Sequence, residues 1–235
     1  PLLKNIVYLD PRGLRNYKKS NLYSLNDISS LDKLKNISKL QTELKKRQSK
    51  QNLDTKSILL YTSGTTGRSK GVVLSNKNVI ESGKAGIIFD KIDSNFSLIC
   101  YLPMAWVGDF AFSMGLGLQS GMCICCPESA ETLHDDMREI GPSYFFGPPR
   151  FFESLLTSVN LKIDDAGSFK KTLFNYFMSV AKEYGEKILE DKKVGLFNRF
   201  KYFLGEIFIY GPLKNRMGLS NTKVGYTAGE AIGTE

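Results

Sequence analysis

The chain has 235 residues, 42% hydrophobic and 24% charged, with a formal net charge of +8 at pH 7. That length and balance support a sizeable core and exclude a disordered, collagen-like or disulfide-dense protein. The charge does not argue for nucleic acid: residues 1–56 hold 13 Lys and Arg against 5 Asp and Glu, whereas residues 57–235 hold 19 of each, so the excess reads as one solvated basic stretch, compatible also with weak attraction to anionic lipid.

In chain order, the sequence opens on Pro1 rather than Met, with no signal-peptide pattern near it. Residues 5–9 read as a strand ending at the turn Asp10-Pro11-Arg12-Gly13. Leu31, Leu34, Ile37, Leu40 and Leu44 recur at helical spacing, with Ser29 or Ser30 as N-cap and lysines on the other face. A polar linker over 48–56 follows. The apolar run Ser57-Ile58-Leu59-Leu60 then enters Tyr61-Thr62-Ser63-Gly64-Thr65-Thr66-Gly67-Arg68-Ser69-Lys70-Gly71, which leaves through Val72-Val73-Leu74. This loop has the chemistry of a polyphosphate cradle. Its glycines let the backbone approach an anion, Ser63, Thr65 and Thr66 offer hydroxyls, several N–H groups can converge, and Lys70 brings a full positive charge. The spacing of Gly64, Gly67 and Lys70 does not fit the common P-loop, which needs four residues between its first glycine and a Gly-Lys-Ser/Thr triplet. The competing interpretation is an ordinary Gly/Ser/Thr hairpin turn between two strands.

Beyond the loop, Ser75 is placed to cap a helix over 76–89 with Glu81 and Lys84 on its polar side. Strands are expected at 97–101, 122–126 and 143–146, interleaved with helices at 106–118, 131–140 and 149–159; this alternation, without hairpin dipeptides, predicts βαβ crossovers, a largely parallel sheet and an α/β fold. Between Leu98 and Cys126 only Asp109 is charged, but Pro103, Gly108, Gly115, Gly117 and Gly121 cut the stretch into elements too short to span a membrane. Cys100, Cys123, Cys125 and Cys126 lack zinc spacing and read as core thiols in a reducing cytosol; no metal ligand is assigned in the chain. His134, the sole histidine, falls in the polar stretch 131–139, on a solvated helix face rather than in a His-dependent hydrolase site.

From 165 to 213 the pattern is helical throughout. Leu173, Phe177, Val180, Tyr184 and Ile188 form one stripe, and Phe197, Phe200, Phe203, Leu204, Ile207 and Phe208 mark a second arm interspersed with Arg199 and Lys201. The expectation for this helical hairpin is packing of the second arm onto its own domain, with a membrane surface as the alternative. The chain returns through a strand at 222–226.

The run from Leu59 to Lys70 resembles the phosphate-loop signature of the AMP-forming adenylate ligases, with Ser69 where proline is commonest. Tyr101-Leu102-Pro103-Met104-Ala105-Trp106, Gly141-Pro142-Ser143-Tyr144-Phe145-Phe146-Gly147-Pro148-Pro149-Arg150 and Gly225-Tyr226-Thr227-Ala228-Gly229-Glu230-Ala231-Ile232-Gly233 are similar to the core motifs of the long-chain fatty acyl-CoA synthetase branch, and the helical hairpin resembles its insertion. Trp106 stands where many of that branch have histidine.

The resemblance implies that residues 1–235 are an incomplete N-terminal AMP-binding domain. It comprises a basic lead-in over 1–56, an α/β core over 57–160, a hairpin insertion over 165–213 and a return strand with the adenine and acyl wall over 214–235. It implies activation of a fatty acid by ATP through acyl-AMP to acyl-CoA; the alternatives are an acyl-AMP ligase with another acceptor and a nucleotide-binding piece without turnover. Thr62, Ser63, Gly64, Thr65, Thr66, Gly67 and Lys70 would hold the phosphates, Lys70 being the catalytic countercharge; Gly229, Glu230 and Ala231 would form the adenine and acyl wall, and Trp106 would border the acyl passage. The magnesium-binding glutamate and the C-terminal domain, with its catalytic lysine, are expected beyond Glu235. The implied small molecules are fatty acid, ATP with Mg2+, and CoA, with no nucleic acid; the expected location is cytoplasmic, with peripheral contact at the inner face of a membrane left open, as is the oligomeric state.

Overall fold

The computed structural model describes residues 4–17, 21–29, 36–62, 67 and 69–229. The chain divides into two compact units, 1–52 and 53–235.

In the first unit, β1 (Ile6–Tyr8) pairs in parallel with β2 (Leu22–Ser24). The turn after β1 closes on Asp10, whose carboxylate accepts from the Arg12 backbone N–H at 2.9 Å. Two helices follow, α1 (Leu25–Ser29) and α2 (Ile37–Gln48). Of the two expected caps, Ser29 does not act as one. Ser29 belongs to α1 and turns its hydroxyl back onto the Leu25 carbonyl, while α2 starts after Asn36. Leu31, Leu34 and Ser30 lie outside the described residues. Every residue of α2 is exposed, in keeping with a solvated lysine-rich helix.

The second unit begins with an antiparallel hairpin of β3 (Lys56–Thr62) and β4 (Lys70–Ser75). Ser75 ends β4 and caps α3 (Asn76–Asp90), as the sequence predicts: its hydroxyl accepts from the Asn78 N–H at 3.2 Å, while the Asn78 side chain accepts from the Ser75 N–H at 2.9 Å. Lys84 and Glu81 pair at 3.1 Å on the outer face.

A four-stranded, all-parallel sheet in the order β6-β5-β7-β8 comprises β5 (Ser97–Ile99), β6 (Cys123–Cys125), β7 (Tyr144–Phe146) and β8 (Val224–Tyr226). The crossover from β5 to β6 runs through α4 (Val107–Phe110), a π-helical segment over Ala111–Gly117 and α5 (Leu118–Ser120). From β6 to β7 it runs through α6 (Leu133–Ile140). Both faces of this sheet are covered. Leu98 and Tyr144 join Ile92, Phe96, Leu116 and Met122 on one side, while Ile99 and Phe145 join Met137, Phe151 and Leu155 on the other. Residues one apart on a strand face opposite sides, which is why these short strands read as continuous apolar runs. The fold is mixed α/β with a parallel sheet.

Two reciprocal bonds fix the register at the entry to the sheet: Ser97 N–H donates to Ser143 Oγ at 2.8 Å, and Ser143 N–H to Ser97 Oγ at 3.1 Å. At the far end of α3, Asp90 accepts from the hydroxyls of Tyr144 at 3.3 Å and Tyr226 at 2.9 Å, tying the helix to β7 and β8.

The remaining helices are α7 (Pro149–Asp164), α8 (Ser168–Leu189), α9 (Leu196–Gly205), a π-helical turn over Glu206–Tyr210 and α10 (Gly211–Arg216). The stripe on α8 is realised: Phe177 and Val180 are buried, and Tyr210 donates from its hydroxyl to the Phe177 carbonyl.

Two expectations are corrected. The second arm packs on α8 only in part: Tyr202 lies against Gly185 of α8 and Gly205 against the Tyr210 ring, while Phe197, Phe200 and Phe203 are exposed. The cysteines are not uniformly core thiols either. β6 is the edge strand, so Cys123, together with Cys126 just beyond it, is exposed. Burial does raise the thiols of Cys100, to about 12, and Cys125, to about 11. No helix among the described residues is long and apolar enough to cross a membrane.

Candidate functional site

The hairpin places the predicted phosphate loop. Thr62 and Lys70 are direct partners in the β3–β4 register, and the Thr62 hydroxyl reaches the Lys70 carbonyl at 3.5 Å. The loop is therefore pinned at both ends by one cross-strand pair, with Lys70 at the closing position. Gly67 sits at φ +81° with open space around its Cβ position, a left-handed conformation in which a β-branched residue is strained. Ser63, Gly64, Thr65 and Thr66 lie outside the described residues. A hairpin does enclose the loop, so strand pairing by itself does not separate a phosphate cradle from an ordinary turn.

A cavity of about 650 Å³ lies beside the hairpin. Its walls come from separate parts of the second unit: Leu60 and Thr62 of β3, Val72 and Leu74 of β4, residues 105–108 at the start of α4, Phe146 and residues 148–150 after β7, and Ala228 and Gly229 after β8. Parallel strands end together here, and open α/β sheets bind ligands outside the carboxyl ends of their strands. The lining is predominantly apolar, and among the described lining residues Arg150 alone carries a charge.

Trp106, the residue preceding α4, lines this cavity and is 56% exposed, so it is not a core aromatic. Gly108 explains how α4 starts so close to the wall: a Cβ there would stand 2.7 Å from the Phe146 ring. Gly229 also borders the cavity, at φ +104°. Glu230 and Ala231 lie outside the described residues. The structure thus brings Thr62, Trp106 and Gly229 to one cavity, with Lys70 paired to Thr62 at its edge.

Two groups beside the site carried no functional assignment from sequence. Asp109 in α4 is buried, accepts a bond from the Leu102 backbone N–H, and has its pKa raised by desolvation. The Tyr101 hydroxyl is buried without a hydrogen-bond partner among the described residues; desolvation first, and Asp109 second, raise its pKa. Asp109 stood out in sequence as an isolated charge, but its relation to Leu102 and Tyr101 depends on the bend over 102–106. Asp90 gave no signal, because its partners lie 54 and 136 residues away. His134 stacks on Phe151, with ring centroids 5.7 Å apart, and does not line the cavity.

The described residues offer no group of three or more His, Cys, Asp or Glu able to hold a metal ion, and no carboxylate lines the cavity among them. The described residues therefore do not by themselves make a Mg2+ site.

Comparison with known proteins supplies the family. The family model described as AMP-binding enzyme matches residues 10–232. The long-chain-fatty-acid–CoA ligase heimdall of Drosophila melanogaster is 27% identical over 203 residues, covering 84% of this chain and 30% of the relative. The long-chain-fatty-acid–CoA ligase ACSBG2 of Homo sapiens is 26% identical over 209 residues, covering 87% and 30%. The chain thus spans about a third of the length of these curated relatives. Among solved structures, ATP-bound MatB from Rhodopseudomonas palustris is 26% identical with a TM-score of 0.40, over 45% of this chain and 21% of that one. With the family model matched along nearly the whole chain, this chain belongs to the AMP-binding enzyme family.

Proposed function

We propose that this chain supplies the phosphate loop and acyl cavity of a long-chain fatty acid–CoA ligase that works through an acyl-AMP intermediate. The observation that carries the reading is the adjacency of Thr62 and Lys70, which close the Gly/Ser/Thr loop, to a cavity lined mainly by apolar side chains. A polyanion needs the first and an alkyl chain needs the second.

In this reading the fatty carboxylate attacks the α-phosphorus of ATP, forming acyl-AMP and releasing pyrophosphate; the CoA thiol then displaces AMP to give the thioester. Carboxylate and triphosphate repel each other, so the protein must neutralise charge and hold the attack in line. Backbone N–H groups and hydroxyls over 62–67 hold the β and γ phosphates, and Lys70 supplies the countercharge. Trp106 and Phe146 flank the acyl chain. Arg150 offers a positive charge to the carboxylate, and Gly229, with Glu230 and Ala231 beyond it, borders adenine and the carboxylate. Mg2+, where bound, would screen the polyphosphate. The hairpin insertion and the second domain follow the same family reading, as does a cytoplasmic location.

The test is calorimetric titration of the full-length protein with ATP. Lys70→Ala combined with Gly67→Val is expected to weaken binding by tenfold or more, since charge-assisted bonds to phosphate are about twice as strong as neutral ones. Unchanged affinity in the double variant would falsify the loop assignment.

A further inference from the structure

Asp90 stands where a carboxylate is unfavourable. It is the last residue of α3, at the helix end that carries negative partial charge, and it makes no ion pair among the described residues. A local rule broken in this way calls for a compensating gain. The gain is the two hydroxyls that Asp90 accepts, from Tyr144 at 3.3 Å and from Tyr226 at 2.9 Å, since hydrogen bonds to a charged acceptor are stronger than neutral ones. We propose that Asp90, acting through the Tyr226 hydroxyl, positions the cavity wall at Ala228 and Gly229 and thereby sets the affinity for ATP.

The two tyrosines differ in what holds them. Tyr144 is 1% exposed in β7 and is fixed by the core around it whether or not its hydroxyl is bonded. Tyr226 ends β8 and is only half-buried. Its carbonyl accepts from the Gly147 N–H at 3.0 Å, and its ring centroid lies 5.8 Å from that of Tyr144 and 6.0 Å from that of Phe112. These contacts tie it to the cavity from the other side as well: Gly147 falls between Phe146 and Pro148, both of which line the cavity, and the Phe112 ring is 4.7 Å from that of Phe146. Past Tyr226 the support stops. Among the described residues no hydrogen bond is made by Thr227, Ala228 or Gly229, and Gly229 has open space around its Cβ position. Tyr226 is therefore the last fixed point before the wall, and the Asp90 bond holds it at the tip of its side chain as Gly147 holds it at the backbone.

The inference rests on the proposed placing of ATP beside Gly229, and the test separates the two. Full-length protein is titrated calorimetrically with ATP, and its melting temperature is measured, for wild type, Tyr226→Phe, Tyr144→Phe and Asp90→Ala. Each tyrosine variant keeps its ring and loses one bond to the same carboxylate, so a purely structural role lowers the melting temperature in both and changes ATP affinity in neither. The positioning role predicts that Tyr226→Phe weakens ATP binding about tenfold, the scale of one hydrogen bond to a charged group, while Tyr144→Phe stays within about twofold of wild type. Asp90→Ala should match Tyr226→Phe, and the two together should weaken binding no further than either alone, as expected of residues that act through one bond. In pyrophosphate exchange the same loss should appear in KM for ATP, with kcat kept within about twofold. If Tyr226→Phe binds ATP as wild type does while Lys70→Ala with Gly67→Val does not, the positioning role fails and the loop assignment stands. Equal weakening in the two tyrosine variants also overturns the role, because the effect would then not run through the end of β8. A wild type that does not bind ATP overturns both this inference and the reading beneath it.

Discussion

Asp109 carries an unfavourable charge. It is 6% exposed, held by the Leu102 N–H, and desolvation raises its pKa in the folded state. An acid with a raised folded-state pKa binds its proton more tightly when folded, so its contribution to stability falls as pH rises from the unfolded value through the folded one. Asp109→Asn keeps an acceptor for Leu102 and removes the charge. The variant is expected to melt higher than wild type at neutral pH, with the gain disappearing as pH falls toward the ordinary carboxylate value of about 4. A lower melting temperature at neutral pH would mean that the carboxylate has a charged partner. Single residues also show how far the sequence reaches. Thr62, Gly67 and Lys70 are legible as parts of one hairpin loop because such a loop is local, built from neighbours in the chain. Asp90 and Tyr226 are not, because their bond at 2.9 Å joins positions 136 residues apart.

At the scale of elements, the helices were placed by their periodicity, but which face each one buries was only partly legible. The capping box at Ser75 was half visible: Ser75 is a recognisable cap, whereas Asn78 replaces the Glu or Gln that usually completes the box. On α8 the apolar stripe and the buried side coincide. On α9 they do not: the phenylalanines are exposed, while Tyr202 lies against Gly185 of α8 and the Tyr210 hydroxyl bonds the Phe177 carbonyl. A Cβ at Gly205 would stand 2.6 Å from the Tyr210 ring, whereas at Gly185 the nearest atom of Tyr202 is 3.5 Å away. Gly205→Ala should therefore destabilise by about 1–3 kcal/mol through overpacking, while Gly185→Ala, in ordinary contact, should be neutral or slightly stabilising through its helix propensity. Thermal or denaturant unfolding of the two variants checks this; equal effects would contradict the close fit of Gly205 against Tyr210. The cysteines missed for a related reason: Cys123 and Cys125 alternate like a buried strand, and only the strand order reveals that β6 is an edge.

For the whole molecule, alternating short strands and helices sufficed for the α/β class, and local turn chemistry sufficed for the hairpin around the loop. The cavity could not be read from sequence, because its walls at Thr62, Trp106, Phe146 and Gly229 are assembled from segments spread over 168 positions of the chain. Only the resemblance of the separate motifs to one family joined them in advance. Family membership rests on the match over residues 10–232; the reaction rests on what the cavity and the loop can do together. The most direct measurement is fatty-acid-dependent exchange of labelled pyrophosphate into ATP by the full-length protein, since exchange reports acyl-AMP formation whatever the later acceptor. The account predicts exchange that requires a long-chain fatty acid and falls about 100- to 1,000-fold in Lys70→Ala, the loss expected when one preorganised charge-stabilising group is removed. Exchange that proceeds without fatty acid, or that survives Lys70→Ala undiminished, would contradict it.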